Sequence, residues 1–282
     1  MTMITGSIVL YKADIKQVSE VIHSFFKGDS KDRILYLIDN SPNDILHFLA
    51  NLYPGCIEYI FTGKNLGYGT AHNIALEKAL NNKARYHVVL NPDLSFDADT
   101  IPRLSRFMDN HLDVGLSMPK VVNPDGSIRY ICRLLPTPMD LVLRCLFSKS
   151  RYAQKRNFQF EMRESGYNEV MDVPFISGCF MFFRVDILPI TGLFDEHIFM
   201  YFEDVDLSRR VHEKFRTCLY PNAQSIHLAN RESHRNWRML FVHIRSAFYY
   251  FNKWGWFFDN QRDQLNRRAL DNIRKFNRAI RL

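Results

Sequence analysis

The stretch IEYIFTGKNLGYGTAHNIALEKALNNKARYHVVLNPD, residues 57–93, decides the fold. Ile57 to Phe61 is β-branched and aromatic, which suits a strand. A glycine-containing loop, Gly63 to Asn73, runs into the helix-forming Ile74-Ala-Leu-Glu-Lys-Ala-Leu80. Tyr86-His-Val-Val-Leu90 is then apolar without alternation, as in a strand covered on both faces. Strand, loop, helix and buried strand at this spacing predict a right-handed βαβ unit in a parallel sheet. The N-terminal side repeats the pattern: a strand at Ser7-Ile-Val-Leu-Tyr11, and a helix from Ile15 to Phe26 with Val18, Val21, Ile22 and Phe25 on one face. A strand at Arg33 to Asp39 follows, closed by the turn Asp39-Asn-Ser-Pro42, then a helix from Ile45 to Leu52. Ligands of such sheets lie beyond the carboxyl ends of the strands, where Asp39, the Gly67 loop and Asp93 fall.

Towards the C-terminus the spacing predicts a helix near 100–110, a strand at Val114 to Met118 and a hairpin turn at Asn123-Pro-Asp-Gly126. From Leu135 to about Glu169 the pattern weakens, and a mobile excursion over the active face is expected. Val173 to Arg184 reads as a buried strand interrupted at Gly178, where another backbone or a ligand comes close. Phe199-Met-Tyr-Phe-Glu-Asp-Val-Asp-Leu-Ser-Arg-Arg210 places Glu203, Asp204 and Asp206 in the first turn of a helix. Two short strands, Thr217 to Tyr220 and Ala223 to His227, precede a helical region beyond Arg231.

The 282 residues allow one or two domains with a full core, and 46% hydrophobic with 24% charged residues is ordinary for a globular protein. No run approaches the length of a membrane span, and the N-terminus does not read as a signal peptide. Five scattered cysteines without a CxxC pair suit a reducing, cytoplasmic setting. From Arg231 to Leu282 there are twelve Lys or Arg against four Asp or Glu, a net of +8 against +7 for the whole chain. The basic character therefore belongs to a C-terminal extension, 231–282, appended to a nearly neutral body, 1–230.

Gly67-Tyr-Gly69 before a helix offers backbone N–H groups to a phosphate or sugar, although a plain turn explains it as well. It is neither a GxGxxG fingerprint nor a P-loop, which disfavours a dinucleotide site. Asp93 after a buried strand could be a turn residue, or the hard oxygen ligand that a cation bound to a diphosphate needs. Asn91 flanks it. His227 could be a structural histidine or a neutral imidazole ligand. Asp204 and Glu203 could cap their helix or supply a general base. Asp206, two positions on, faces away and suits a bridge to Arg209 or Arg210.

Taken in order, Ile8-Val-Leu-Tyr11, Ile38-Asp-Asn-Ser41, Asn65 to Asn73, Leu90-Asn-Pro-Asp93, Asn123 to Ser127, Ser177-Gly-Cys-Phe-Met181, Gly192 to Glu196, Phe199 to Asp206 and His227 resemble a GT-A fold, family 2 inverting glycosyltransferase of the rhamnosyltransferase-like kind. The resemblance covers about the first 230 residues and implies an α/β, Rossmann-like, mostly parallel sheet flanked by helices. It implies base recognition by Asp39 with Tyr11 beside it. Asn65, Gly67, Asn73, Asn91 and Gly178 would shape the nucleotide-sugar pocket. Asp93 and His227 would bind Mn²⁺ or Mg²⁺, and Asp204 would be the base, with Glu203 its rival. Asn91 stands where the family's DxD motif has its first acid, leaving one carboxylate fewer at the cation.

The implied function is transfer of a sugar, L-rhamnose from dTDP-L-rhamnose as the first choice, to a lipid-linked glycan in surface polysaccharide synthesis such as O-antigen. A UDP-hexose or galactofuranose donor, a non-catalytic sugar-nucleotide-binding protein and a nucleotidyltransferase are the alternatives. The Lys/Arg-rich phosphate loop of the last is missing at Tyr11-Lys-Ala-Asp14. In the C-terminal extension, aromatics interleave with basic residues from His243 to Phe258. They either pack on the body or meet an anionic membrane face, with Trp254, Trp256, Phe257 and Phe258 at the interface. That second reading makes the protein peripheral at the inner face of the cell membrane. A nucleic-acid partner is disfavoured, since the body shows no basic, aromatic-laced groove.

Overall fold

A computed structural model describes residues 3–28, 31–228 and 237–280. The N-terminal half alternates strands and helices as expected: β1 (Ile4–Leu10), α1 (Ile15–Phe26), β2 (Arg33–Asp39), β3 (Ile57–Phe61), α2 (Tyr68–Asn81) and β4 (Tyr86–Leu90). The segment Ile45–Leu52 is a 3₁₀-helix. After β5 (Leu94–Phe96) and α3 (Thr100–Asn110) come β6 (Val114–Val122), α4 (Pro138–Leu146), α5 (Arg151–Phe160), β7 (Met171–Asp172) and β8 (Phe180–Arg184). Then follow α6 (Leu188–Thr191), α7 (Glu203–His212), β9 (Arg216–His227), α8 (Trp237–Trp254) and α9 (Asn260–Ile280).

All nine strands join one sheet, ordered β3-β2-β1-β4-β8-β6-β9-β5, with β7 paired to β9. The first four are parallel, and the register sets Leu10 of β1 beside Asp39 of β2 and Ile8 beside Leu90 of β4. The carboxyl ends of β1, β2 and β4 therefore open on one edge. β8 runs antiparallel between β4 and β6, and β6 pairs parallel with β9. Its Phe180, Met181, Phe182 and Phe183 are all fully buried, because both faces of the sheet are covered. Val18, Val21, Ile22 and Phe25 of α1 are likewise buried, and Asp14 caps the helix by accepting from the Gln17 N–H at 3.0 Å.

The sheet centre is polar. Ser7 Oγ lies 2.7 Å from His72 Nδ1 and 2.8 Å from His87 Nε2, while Thr5 Oγ1 is 2.7 Å from His87 Nδ1. All four residues are fully buried. Burial pushes the His87 pKa down to about 3 and the His72 pKa well below its usual value.

Three local readings change. The two late strands are one, β9, which crosses Pro221 by an irregular register near Pro119 and Lys120 of β6. β5 was not legible, being three residues long and held by pairing with β9. The stretch expected to be a mobile excursion is organised as α4 and α5. Thr137 and Asp140 form a capping box at the start of α4, and Asp140 also takes an ion pair from Arg156 of α5 at 2.5 Å. The Asp140–Arg156 pair links residues 16 positions apart, which helical periodicity does not register.

The C-terminal helices share their interiors with the body. Ala247, Tyr250 and Phe251 of α8 pack with Leu135, Phe175, Ile198, Phe202 and Val205. Ala269 and Ile273 of α9 enter the main core. The Arg209 and Asp259 side chains, nearly inaccessible, form an ion pair with two 2.7 Å contacts. Trp254 caps it, with the Arg209 guanidinium 4.0 Å from the ring centre. Trp254 is thus turned inward, as the packing alternative expects, whereas Phe257 and Phe258 are 75% and 96% exposed.

Candidate active site

The glycine loop before α2 is fixed from both sides. Asn65 Oδ1 accepts the Gly67 N–H at 3.0 Å, and Asn40 Nδ2 donates to the Gly67 carbonyl at 3.0 Å. Gly67 has φ +88°, and a Cβ there would lie 2.2 Å from the Phe199 carbonyl oxygen, so no other residue fits. The Tyr68 N–H donates to that same carbonyl at 2.9 Å. The first N–H of α2 is therefore committed to the protein and does not face a ligand as the loop reading supposed. Asn73 clasps the Phe194 backbone, donating to its carbonyl and accepting its N–H, both at 2.9 Å. Its buried side chain fastens α2 to the segment that leads into α7.

Asp204 lies in the first turn of α7, after Tyr201 and Phe202, both at positive φ. Its Oδ2 accepts the Gly178 N–H at 2.8 Å, and its Oδ1 accepts the Val205 N–H at 2.9 Å. A Cβ at Gly178 would press 3.3 Å from the Tyr68 ring and 3.4 Å from Asp204 Oδ2, which explains the glycine that interrupts the strand reading. Tyr68 Oη donates to the Gly178 carbonyl at 2.7 Å and lies 3.0 Å from Asn91 Oδ1. One hydroxyl thus connects the segment that holds Asp204 to the end of β4. Tyr68 was not singled out from the sequence; its only signal was an aromatic between two glycines at a helix start.

Burial raises the pKa of Asp204, with the Gly178 and Val205 N–H groups opposing the shift. Glu203 is buried, and desolvation together with the Asp204 charge pushes it well up. Its Oε2 has no hydrogen-bond partner. Asp206 points the other way, as its spacing implied. It is inaccessible and accepts from Arg210 Nε at 2.9 Å, from Trp254 Nε1 at 2.7 Å and from Lys253 Nζ at 2.8 Å.

At the far end of Asn91-Pro-Asp93, Asp93 Oδ2 is 3.3 Å from His227 Nδ1. The antiparallel pairing of β5 with β9 sets Leu94 beside His227 and brings these two distant residues together. Asp93 Oδ1 and His227 Nδ1 are buried without a hydrogen-bond partner. Burial and the Arg129 charge lower the His227 pKa against the pull of Asp93, which keeps the imidazole neutral and able to ligate. A hard carboxylate beside a neutral imidazole fits a divalent cation that takes its other ligands from a diphosphate. Among the described residues no group of three His, Cys, Asp or Glu side chains could hold a metal ion by itself.

Asp39 is separate from this group. It is fully buried, with one oxygen accepting the Ser41 N–H at 2.8 Å and the other the Tyr59 hydroxyl. Tyr11, just beyond β1, is exposed.

Residues 8–189 match the family model described as glycosyl transferase family 2. That is well over half of the chain. The chain belongs to glycosyl transferase family 2. Over 190 residues it is 29% identical to the N-acetylglucosaminyl-diphospho-decaprenol L-rhamnosyltransferase of Mycobacterium tuberculosis (strain CDC 1551 / Oshkosh), covering 62% of this chain and 59% of that protein. It is also 26% identical over 231 residues to rhamnosyltransferase WbbL of Escherichia coli (strain K12), covering 79% of this chain and 83% of that one. Among solved structures it resembles GalNAc-T7 with UDP, GalNAc and Mn²⁺ (TM-score 0.61, 16% identity, 83% of this chain and 44% of that one). The Pyrobaculum calidifontis mannosyltransferase PcManGT in complex with GDP-Man and Mn²⁺ is similar at TM-score 0.57 and 15% identity, covering 87% and 64%. At these identities the structures establish the GT-A fold, as the sequence reading expected.

Proposed function

We propose that this family 2 glycosyltransferase is inverting and metal-dependent, and moves L-rhamnose from dTDP-L-rhamnose to a hydroxyl of a lipid-linked oligosaccharide in surface polysaccharide synthesis. The observation that carries it is the continuous connection from Asp204 through Gly178 and Tyr68 to Asn91 and on to the Asp93–His227 pair. A base and a diphosphate site must be held in fixed relation for one in-line displacement. Asp204 takes the proton of the acceptor hydroxyl as that oxygen attacks the anomeric carbon, and its raised pKa makes it the stronger base. Its two oxygens are oriented by backbone N–H groups and keep lone pairs free for the incoming proton. Glu203, pushed towards its neutral form, leaves Asp204 as the ionised member of the pair. Asp93 and His227 would hold Mn²⁺ or Mg²⁺, which neutralises charge on the departing diphosphate. Asn65 and Gly67 shape the loop beside the donor, and Tyr11 offers an exposed ring to the base near Asp39. The named rhamnosyltransferase relatives support the choice of sugar.

The protein acts at the inner face of the cell membrane, without crossing it. Among the described residues no helix is long and apolar enough to span a bilayer. Trp237, Leu240, Phe241, Ile244 and Phe248 form an exposed stripe along one side of α8, and Phe257 and Phe258 after the helix are exposed as well. The opposite side holds the segment before α7, with Ser246 Oγ donating to the Met200 carbonyl at 2.7 Å.

A thermal-shift screen of nucleotide sugars with Mn²⁺ or Mg²⁺ tests the donor. We expect dTDP-L-rhamnose to raise the melting temperature of the wild type but not of Asp93→Ala. A shift with UDP-sugars instead discards rhamnose, and no shift with any nucleotide sugar overturns the enzymatic reading.

A further inference from the structure

The segment 129–163 carries six arginines and two carboxylates that the structure pairs unevenly. Asp140 is ion-paired with Arg156 at 2.5 Å, and Glu161 with Arg163 at 2.5 Å. Arg129 lies at the metal end, its Nη1 3.4 Å from the His227 carbonyl. Arg133, Arg144 and Arg151 remain, none with an ion pair among the described residues, and Arg151 stands exposed at the start of α5. Arg133 is pinned by backbone hydrogen bonds to Phe175 in both directions at 3.1 Å, with its guanidinium 5.9 Å from the Phe175 ring centre. Its Nε is buried without a partner. Arg144 of α4 lies over the Phe160 ring at 5.2 Å. Burial and the nearby Arg133 charge push its pKa down to about 10. Aromatic rings hold both cations, and the two carboxylates whose charge reaches Arg144, Glu161 and Asp140, are each already paired with another arginine.

Like charges brought together beside apolar rings cost free energy unless an anion joins them. The Leu134 N–H donates to the carbonyl of Phe160, the residue whose ring lies under Arg144, at 3.0 Å, and Arg133 pairs with Phe175, three positions before the Gly178 whose N–H Asp204 accepts, so the chain leads from the base to both arginines. Beyond Arg144, the outer side of α4 exposes Met139, Val142 and Leu146, and Phe147 follows. Followed along these contacts, the order is base, Arg133, Arg144 and the apolar side of α4. An acceptor made of a sugar, a diphosphate and a lipid chain has the same order.

We propose that Arg133 and Arg144 form an anion subsite for the phosphate or diphosphate that joins the acceptor sugar to its lipid, distinct from the donor diphosphate site. This rests on the lipid-linked acceptor reading above. Fixed guanidinium donors suit phosphate oxygens, and the α4 surface takes the first units of the chain.

The test is equilibrium binding of farnesyl diphosphate, inorganic diphosphate and farnesol to the full chain. The donor site is kept saturated with dTDP or UDP, whichever raises the melting temperature. We expect farnesyl diphosphate to bind the wild type, and Arg133→Gln and Arg144→Gln each to weaken it about tenfold or more. Arg144→Lys should lose less, and the affinity for the nucleotide should stay unchanged in all three variants. Inorganic diphosphate should show the same arginine dependence with weaker binding, and farnesol none. The proposal is overturned if farnesyl diphosphate does not bind, if the nucleotide displaces it, or if both glutamine variants bind it like the wild type. Failure of the glycosyltransferase reading is distinguishable, because it appears as absence of nucleotide binding.

Discussion

Replacing Asp206 by alanine separates the two nearby carboxylates by what each is for. Asp206 has no accessible surface and receives Arg210, Lys253 and Trp254, so it joins α7 to α8. Breaking a buried ion pair from one side costs about 3–5 kcal/mol, because the partner charge is left uncompensated. Here the loss is smaller. Lys253 keeps Asp195 at 2.7 Å, and Arg210 keeps the Thr191 and Leu193 carbonyls. About 2–4 kcal/mol is therefore expected. At about 2–4 °C per kcal/mol for a chain of this size, the melting temperature should fall by roughly 4–16 °C. Turnover should fall only by about tenfold, through loosening of the first turn of α7. Asp206→Asn, which still accepts from Trp254, should lie between. The assay is differential scanning calorimetry beside steady-state transfer. An Asp206→Ala protein that melts like the wild type yet loses transfer a hundredfold or more would refute the reasoning and make Asp206 the base.

Acid should weaken the fold through the sheet centre. His72 and His87 have folded pKa values below the usual 6.5, so the unfolded chain binds more protons, and stability falls as pH drops from about 6.5 towards the His87 value near 3. Each histidine contributes a slope of up to about 1.4 kcal/mol per pH unit. Urea midpoints at pH 7 and pH 5 should differ less in His87→Gln than in the wild type, and equal differences would exclude this account. For the membrane surface, flotation with phosphatidylglycerol vesicles should recover the wild type. Phe241→Ser/Phe248→Ser should bind the vesicles at least about a hundredfold more weakly, since each buried Phe is worth about 1.5–3 kcal/mol and about 1.4 kcal/mol is tenfold. Equal recovery of the two, or equal recovery of the wild type with neutral vesicles, would rule out the α8 stripe.

The parallel half of the sheet was legible because its strands are local apolar runs separated by one helix each, as at Arg33–Asp39 and Tyr86–Leu90. Asp204, Asp93 and His227 were legible as residue types in order, but their relation was not. His227 reaches Asp93 only because β5, too short to carry a period, pairs with β9. Tyr68 escaped notice because its role lies in a hydroxyl contact with Gly178, 110 residues away. The α4–α5 segment misled for a related reason, since its order comes from side-chain pairs such as Asp140 with Arg156. For Trp254 the sequence left packing and a membrane interface both open, and the Arg209–Asp259 pair beneath it decides for packing.

The central claim is that Asp204 removes the acceptor proton during transfer from a nucleotide sugar. The most direct measurement is single-turnover transfer from dTDP-L-rhamnose to a lipid-diphosphate-linked acceptor by wild type and Asp204→Asn, with donor affinity measured in parallel. The asparagine can still accept the Gly178 N–H, so the site should stay assembled and donor affinity should remain within about twofold. Transfer should fall by about 10²–10⁴-fold. An Asp204→Asn protein that transfers at the wild-type rate, or a wild type that binds the donor and never transfers the sugar, would contradict the account.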